Sequence, residues 1–388
     1  MLKRNSGIGS IKSSLVLKKK IIISVTNDLT TDQRVDRMCT TLTGMGFEVL
    51  LVGRKLRSSL PIKPRIYRTK RMRLIFSAGP FFYAEFNKRL FLFLLFAKAD
   101  LQVSNDLDTL LGNYLASRLR NRPLVHDNHE YFRGVPELNG RKFATKIWKA
   151  IEDRIFPKLK TVLAVNQSIA SLYNKEYGNT IRVIRNVPFR KNAGSTLTKS
   201  GIGIPENTRV ILYQGAVNVD RGLEEAILAM KFVKTEAILL IIGKGDVFDS
   251  LTLLAKEAGV ANKVIFTGEV PLAELHGYTV LGDIGLSIEK DVSINYHYCL
   301  PNKFMDYIQA KIPVLVAELP EMKAIVEQYK IGTYITSHEP EILAMDFDNM
   351  LNDADFLAGC RKNLETAAAD LCWENEEKEM IRIFQPYV

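Results

Sequence analysis

Residues 298–316, YCLPNKFMDYIQAKIPVLV, predict a polar loop that opens a helix and is followed by an apolar strand. Pro301 presets the turn before the helix, and the free N–H groups of the first helical turn favour an anion. Lys303 adds a positive charge at the same place. We therefore expect this loop to bind a phosphate, although an ordinary helix start shows the same local pattern.

Short apolar strands alternate with amphipathic helices on the N-terminal side of this stretch, which is typical of parallel α/β architecture. In the first half, strands are expected at residues 20–25, 47–52, 101–103, 123–126, 161–165 and 181–184. A second series is expected at residues 209–214, 237–242, 263–266, 283–287 and 313–316. The pattern predicts an α/β protein with two Rossmann-like, doubly wound parallel-sheet domains that face a cleft.

The domain boundaries follow from where the periodicity stops. Residues 191–205 carry Gly, Ser, Thr and Pro without periodicity, which indicates a linker. We therefore expect an N-terminal domain at residues 20–190 and a C-terminal domain at residues 206–373. Residues 1–19 are basic and read as a flexible leader, because they lack the continuous apolar core of a signal peptide.

Composition is that of a globular protein, with 388 residues, 47% of them apolar and 25% charged. The four cysteines form no CxxC pair and have no histidine at zinc-ligand spacing, so free thiols in a reducing compartment are expected. The longest apolar stretch, residues 90–97, is far too short to span a membrane. We therefore expect a cytoplasmic protein.

The two halves differ in charge. Residues 1–190 hold 35 Lys and Arg against 14 Asp and Glu, whereas residues 191–388 hold 18 against 29. The densest basic run consists of Arg65, Arg68, Lys70, Arg71 and Arg73. An aromatic-rich segment follows it, with Phe81, Phe82, Tyr83, Phe86, Phe91, Phe93 and Phe96. This segment predicts either an interfacial, membrane-contacting surface or a core helix preceded by a solvated basic loop. Nucleic acid is disfavoured, because zinc-finger, RNP-like and helix-turn-helix patterns are not found.

The LPNK sequence at residues 300–303, followed by an acidic, an aromatic and a small residue before Pro-Val, resembles the donor loop of retaining nucleotide-sugar glycosyltransferases. The similarity is to the family-4 type with the two-domain GT-B fold. NDLDT at 105–109 and HDNHEYF at 126–132 resemble the paired N-terminal motifs of the same branch. The resemblance implies a donor site in the second domain, an acceptor surface in the first, a helix at 374–388 that returns to the first domain, and no cofactor or metal.

The resemblance also implies particular donor contacts. Arg221-Gly222 matches the family's pair of a basic residue and a glycine, whose cation contacts the donor pyrophosphate. The positive end of a helix dipole repels a cation, so an arginine just before a helix favours a bound anion at this place. Residues 266–270 resemble the segment whose backbone lies near the nucleotide base. The expected donor-binding residues are Gly215, Arg221, Gly243, Gly245, Val270, Tyr298, Pro301, Asn302, Lys303 and Asp306.

The catalytic candidates are His129, Arg221 and Lys303. His129 follows the strand at 123–126, at the end of a parallel sheet where ligands bind, and the matching family position faces the donor sugar. Asp106-x-Asp108 looks like a metal-binding DxD, but between a strand and a helix we expect it to cap the helix instead.

Three residues differ from those that the family carries at the matching positions. Tyr298 and Asp306 stand where the family carries two glutamates, and Ala216 stands where it carries its first phosphate-binding arginine. Glu289, after the strand at 283–287, is a weaker candidate for sugar contacts, and the pattern favours a solvated loop carboxylate.

The expected function is transfer of a sugar from a UDP- or GDP-sugar to a hydroxyl acceptor, with retention, in cell-surface polysaccharide or glycolipid assembly. The basic first half suggests a lipid-linked acceptor and an anionic membrane surface, with Arg65, Arg68, Lys70, Arg71 and Arg73 as contacts at the inner face of the membrane. Two alternatives stay open: a catalytically degenerate nucleotide-sugar-binding protein, and a nucleotide-sugar epimerase of the same architecture.

Overall fold

A computed structural model describes residues 18–135, 138, 140–191 and 197–388. The expected basic leader therefore lies almost wholly outside the described residues, as does part of the expected linker. None of the helices within the described ranges is long and apolar enough to cross a membrane.

The first half forms a seven-stranded parallel sheet in the order β3-β2-β1-β4-β5-β6-β7. Its strands are β1 Lys20–Ser24, β2 Glu48–Lys55, β3 Arg68–Arg73, β4 Leu101–Asn105, β5 Leu124–Asn128, β6 Thr161–Ala164 and β7 Ile181–Val183. Its helices are α1 Gln33–Gly44, α2 Gly79–Phe96, α3 Leu107–Arg120, α4 Lys142–Ile155 and α5 Gln167–Tyr177.

The second half forms a six-stranded parallel sheet in the order β10-β9-β8-β11-β12-β13. Its strands are β8 Arg209–Gln214, β9 Ala237–Ile242, β10 Val264–Gly268, β11 Ile284–Ser287, β12 Val314–Val316 and β13 Gly332–Tyr334. The helices are α6 Leu223–Ala229, α7 Phe248–Glu257, α8 Leu272–Thr279, α9 Ile294–His297, α10 Asn302–Gln309, α11 Pro320–Tyr329, α12 Pro340–Asn352, α13 Ala354–Asp370 and α14 Trp373–Phe384.

The predicted fold class is confirmed, since two Rossmann-like parallel-sheet domains are present. The central strands are buried on both faces, as β1 illustrates with Ile21, Ile22 and Ile23 at most 3% exposed. Helices cover both faces of such a sheet, which explains why the strands read as continuous apolar runs.

Strand β3 was not predicted. The basic run that could have been a solvated loop is in fact the edge strand of the first sheet, paired in parallel with β2. Of its six residues only Met72 is buried, because an edge strand tolerates charged side chains on its open face. The aromatic segment that follows is helix α2, with Phe82, Phe86 and Leu90 buried.

Helix α14 returns to the first domain and completes its core. Trp373 is fully buried there, and its indole Nε1 donates to Thr41 Oγ1 at 3.3 Å. The backbone N–H of Trp373 donates to Pro188 O at 2.8 Å, where the chain first leaves the domain. The last helix therefore stabilises a domain that begins more than three hundred residues earlier.

Trp373→Ala should lower the free energy of unfolding by about 3–5 kcal/mol, because it removes a large buried side chain and leaves a cavity. Urea unfolding followed by circular dichroism measures the loss. Arg382→Ala, at an exposed position of the same helix, is the control and should change stability by less than about 0.5 kcal/mol. Equal effects of the two changes would mean that α14 does not belong to the core.

Candidate functional site

A buried cluster of charge lies at the carboxyl end of the second sheet. Glu289 follows β11 and is fully buried, with Oε1 at 2.5 Å from Lys303 Nζ and 3.5 Å from Arg221 Nη1. Ser287 Oγ donates to Glu289 Oε2 at 2.9 Å. The expectation of a solvated loop carboxylate is wrong, because β11 lies beside β8 and brings Arg221 from the loop after β8 onto Glu289.

Glu289 and Lys303 keep their charges at neutral pH. Burial opposes the charge of Glu289, but Lys303 and Arg221 hold the pKa of this carboxyl below its usual value. Burial also opposes the charge of Lys303, and Glu289 raises the pKa of this amine. One carboxylate against two cations leaves a net positive charge, which suits an anion such as a diphosphate.

Two aromatic rings support the cations. Lys303 Nζ lies 4.2 Å from the centroid of the Tyr213 ring, and the Arg221 guanidinium lies 4.8 Å from that of Tyr296. Cations at these distances are attracted by the ring face. Arg221 Nε is buried and has no hydrogen-bond partner among the described groups. Arg221 is also the more exposed of the two cations, so it is better placed to meet a ligand.

Helix α10 supplies the residues of the LPNK loop. Pro301 precedes its first turn, and Asn302 Oδ1 accepts from Asn186 Nδ2 at 2.9 Å. Asp306 Oδ1 lies 2.9 Å from Lys191 Nζ, and Asp306 Oδ2 accepts from Gln214 Nε2 at 3.1 Å. Asp306 thus has protein partners on both oxygens, and its contact with a sugar or ribose hydroxyl stays a prediction.

The glycines after β8 and β9 have a packing role that local sequence does not reveal. A Cβ on Gly243, at φ +131°, would lie 1.9 Å from Gly215 O. A Cβ on Gly245 would lie 2.4 Å from Val217 O. The two loops touch backbone to backbone, so glycine is required there whether or not a nucleotide binds.

Two further predicted donor residues make their contacts with other parts of the structure. Val270 is partly buried against the apolar core of the second domain. Tyr298 packs against an apolar cluster of the first domain, and its carbonyl accepts from Asn166 Nδ2 at 2.7 Å. The structure therefore places Tyr298 at the contact between the domains.

A second charged network surrounds His129 at the carboxyl end of the first sheet. His129 Nε2 lies 3.0 Å from Asn105 Oδ1 and 3.2 Å from Asp127 Oδ2, and Nδ1 lies 3.5 Å from Asp106 Oδ2. Asp127 is also held by the guanidinium of Arg34, at 2.7 and 3.0 Å. Burial opposes a charge on His129, but Asp106 and Asp127 raise the pKa of His129 to about 9. His129 is therefore an imidazolium at neutral pH.

Asp106 holds His129 rather than the helix that follows. Its Oδ1 accepts the His129 backbone N–H at 2.8 Å, and its side chain makes no capping bond to α3, so the capping prediction is wrong for Asp106. The backbone of Asp106 has φ +55° and ψ 167°, a region favoured by glycine and costing about 1–3 kcal/mol. Asp108 accepts from Thr26 Oγ1 at 2.5 Å. No trio of His, Cys, Asp or Glu able to hold a metal is found among the described residues.

The two networks lie on loops that meet across the domains. Tyr131 N donates to Asn295 Oδ1 at 2.9 Å, which joins the segment after His129 to helix α9. Ser168 N donates to Glu321 Oε1 at 2.8 Å.

The basic run lies elsewhere on the first domain, because β2, β1 and β4 separate β3 from β5 in the sheet. Arg65 and Arg71 donate to the backbone carbonyls of Leu29 and Leu60, whereas Arg68, Lys70 and Arg73 are exposed. The structure therefore does not bring these cations to the charge clusters.

In comparison with known proteins, each half of the chain matches a glycosyltransferase family. Residues 195–367 match the family "Glycosyl transferases group 1", and residues 32–187 match "Glycosyltransferase Family 4". The Methanocaldococcus jannaschii protein named uncharacterized glycosyltransferase MJ1607 is 24% identical over 194 residues. That alignment covers 48% of this chain and 47% of the relative, so the chain spans about half of the relative's length.

Solved structures share the whole fold at low identity. Sucrose-phosphate synthase from Thermosynechococcus elongatus superposes with a TM-score of 0.76 at 16% identity, over 95% of this chain and 99% of that one. Anabaena HepE in complex with UDP-glucose gives 0.73 at 14% identity, over 95% and 99%. Both halves thus match glycosyltransferase families, and together they have the GT-B fold.

The pKa of His129 can be read directly from its NMR titration. The imidazole signal that disappears in His129→Gln should titrate with a midpoint near 9, and Asp106→Asn should lower that midpoint. Because the folded pKa lies above the ordinary 6.5, the stabilisation by the charged form is complete below pH 6.5 and is lost as the pH rises to about 9. The difference in unfolding free energy between the wild type and His129→Gln should shrink over that interval. A midpoint at or below 6.5 would contradict the charged network.

Proposed function

We propose that this chain with the GT-B fold is a glycosyltransferase that moves a sugar from a nucleotide diphosphate sugar to a hydroxyl acceptor with retention of anomeric configuration. The observation that carries the proposal is the cluster of Arg221 and Lys303 around the buried Glu289, beside the first turn of α10. Its net positive charge and the free N–H groups of the helix suit two linked phosphates. The UDP-glucose bound by Anabaena HepE, which has the same fold, supports a donor of this kind.

In the proposed reaction the bond between the anomeric carbon and the diphosphate oxygen breaks, and the acceptor oxygen bonds to that carbon on the same face. The proton of the acceptor hydroxyl passes to the departing diphosphate. Arg221 and the α10 N-terminus stabilise the charge that develops on the leaving group. Glu289 is buried and ion-paired, which makes it a poor nucleophile and favours a same-face displacement over a covalent intermediate.

His129 has a complementary role on the opposite wall of the cleft. Asp106 and Asp127 keep the imidazolium charged and oriented. Nε2 is engaged by Asn105 and Asp127, whereas Nδ1–H lies 3.5 Å from Asp106, beyond an ordinary hydrogen bond, and can donate to a hydroxyl of the donor sugar. The residue is thus a positioning group rather than a base. We propose that neither a cofactor nor a metal takes part in the reaction. We also propose that the transfer serves the assembly of cell-surface polysaccharide or glycolipid at the inner face of the membrane.

One observation favours a second candidate, a nucleotide-sugar-binding protein without activity. Ala216 and Tyr298 replace an arginine and a glutamate that the family resemblance leads one to expect. The completed ion cluster around Glu289 favours the enzyme, since it retains the charges needed at the leaving group. Incubation with radiolabelled UDP- and GDP-sugars separates the candidates: release of nucleotide diphosphate indicates transfer or hydrolysis, and a changed sugar with the nucleotide still attached indicates an epimerase.

Arg221→Ala should weaken UDP binding by about ten- to a hundredfold and leave uridine binding nearly unchanged, because only UDP presents charge to the guanidinium. Isothermal titration calorimetry measures both ligands. Lys303 is tested as Lys303→Met combined with Glu289→Gln, so that no unpaired carboxylate stays buried. Lys231→Ala removes an exposed cation from the same domain and is the control. Equal losses for UDP and uridine would refute the assigned role of these cations.

The basic strand β3 predicts binding to anionic vesicles. Association measured by co-sedimentation should fall steeply with added salt, since charges are screened beyond about 8–10 Å at physiological ionic strength. Neutralising Arg68, Lys70 and Arg71 with glutamine should weaken it further. The matched control neutralises Lys231, Lys234 and Lys256, which are exposed in the second domain. If no binding occurs at low salt, the basic half does not serve a membrane surface.

A further inference from the structure

Helices α2, α3 and α4 of the first domain enclose a cavity of about 970 Å³. Its walls are mainly apolar and include Phe91, Leu111, Leu115, Phe132, Ile147 and Trp148. Native cores have few voids larger than a water molecule, whereas ligand cavities typically measure about 300–1,000 Å³. The cavity is therefore the size of a binding site and not of a packing fault.

Each helix turns one face toward this space. On α3 the lining residues Asp108, Leu111 and Leu115 follow one another at spacings of three and four, apolar except for the carboxylate at one end, and on α4 the apolar residues Ala144, Ile147 and Ile151 have the same spacing. Such apolar stripes ordinarily pack against protein. Here they face one another across open space, so an apolar occupant is what would complete the packing.

The cavity has a polar end at the carboxyl edge of the sheet. Arg54, near the end of β2, and Asp108, just after β4, both line it. Arg54 Nη1 donates to Ser77 O at 2.9 Å and its guanidinium lies 4.5 Å from the Phe82 ring, but its buried Nε has no hydrogen-bond partner among the described groups. An anionic group would satisfy that N–H.

This polar end adjoins the proposed reaction centre. Asp108 follows Asp106, which holds His129, and Glu130 beside His129 also lines the cavity. A molecule that fills the cavity would therefore present its polar end to the loop on which His129 lies.

The cavity also opens to the surface at the first turns of α2 and α4, next to its polar end. Phe81 and Phe143 line the cavity and are 69% and 78% exposed, and the exposed cations Lys88 and Arg141 line it as well. Phe76 extends the patch, with its ring centroid 5.4 Å from that of Phe81. Exposed aromatic rings beside cations are the chemistry of a surface that meets lipid headgroups.

We propose that this cavity holds the hydrocarbon chain of a lipid acceptor, whose anionic group pairs with Arg54 and whose reactive hydroxyl lies toward Asp108 and His129. The inference rests on the proposed glycosyl transfer and deepens it by naming the substrate class and its binding place. A peptide fits less well, because the apolar walls offer few partners for backbone N–H and C=O groups. The chain enters through the opening ringed by Phe81 and Phe143, where the cations meet the bilayer.

The test titrates the full-length protein with n-alkyl phosphates of increasing length, below their critical micelle concentrations, by calorimetry. Affinity should rise roughly three- to fourfold per methylene until the cavity is filled. Ala144→Trp fills the cavity and should weaken dodecyl phosphate binding at least tenfold. Ala150→Trp, on an exposed part of the same helix outside the lining, is the matched control and should have little effect.

Arg54→Gln tests the polar end and should weaken dodecyl phosphate much more than dodecanol. Farnesyl phosphate against dodecyl phosphate distinguishes an isoprenoid from an acyl-type chain, and tight binding of either supports the proposal. Affinity that does not depend on chain length, or that Ala144→Trp leaves unchanged, overturns it. A dimer in sedimentation that Ala144→Trp dissociates also overturns it, because a second copy of the chain then covers the cavity.

UDP binding measured on the same variants separates this inference from the proposed function. UDP binding without binding of any alkyl phosphate overturns the lipid cavity alone. Binding of alkyl phosphates in a protein that binds neither UDP nor GDP overturns the proposed transfer while the lipid cavity stands. The Ala144→Trp variant should keep its affinity for UDP, since the donor residues lie in the other domain.

Discussion

The proposed donor half of the site depends on one buried carboxylate. Glu289 has no exposed surface, so it is tolerated only with Lys303 and Arg221 beside it, and loss of one partner of such a pair costs about 3–5 kcal/mol. The three side chains come from the loop after β8, the loop after β11 and helix α10. Glu289 therefore holds both cations in place, and the proposed diphosphate would meet a preorganised charge rather than two flexible side chains.

The first domain uses the same device with different residues. Asp127 at the end of β5 pairs with Arg34 of α1 and with His129, while Asp106 binds both the ring and the backbone of His129. Parallel strands bring their carboxyl ends to one edge, so charged groups from distant parts of the chain meet there. The strained backbone of Asp106 persists because these contacts over-determine its position.

Apolar runs predicted the two sheets because burial on both faces removes polar residues from central strands. That signal is missing in β3, where Arg68 and Lys70 are exposed, and weak in the three-residue β13. The burial of Glu289 was not predictable locally, because a carboxylate after a strand is ordinarily solvated and its partners lie far along the chain. The cavity could not be predicted either, because it depends on how three helices pack together and the sequence of one helix does not determine that packing.

The domain connection constrains how the two halves can move. The chain crosses between the halves at residues 184–190 and again at residues 371–376. The two crossings are joined by a hydrogen bond from Trp373 N to Pro188 O at 2.8 Å and by an ion pair between Arg185 and Glu376 at 2.6 Å. Because the two crossings are bonded to each other, a rotation of one half against the other would have to turn about both together. Contacts across the cleft, such as Tyr131 to Asn295, are polar and can be exchanged for water. Such a rotation would break these contacts first, and the opposite charges of the halves draw the cleft closed again. The proposed donor cluster and the proposed lipid cavity lie on different halves, so a closed cleft would be the state in which both substrates meet.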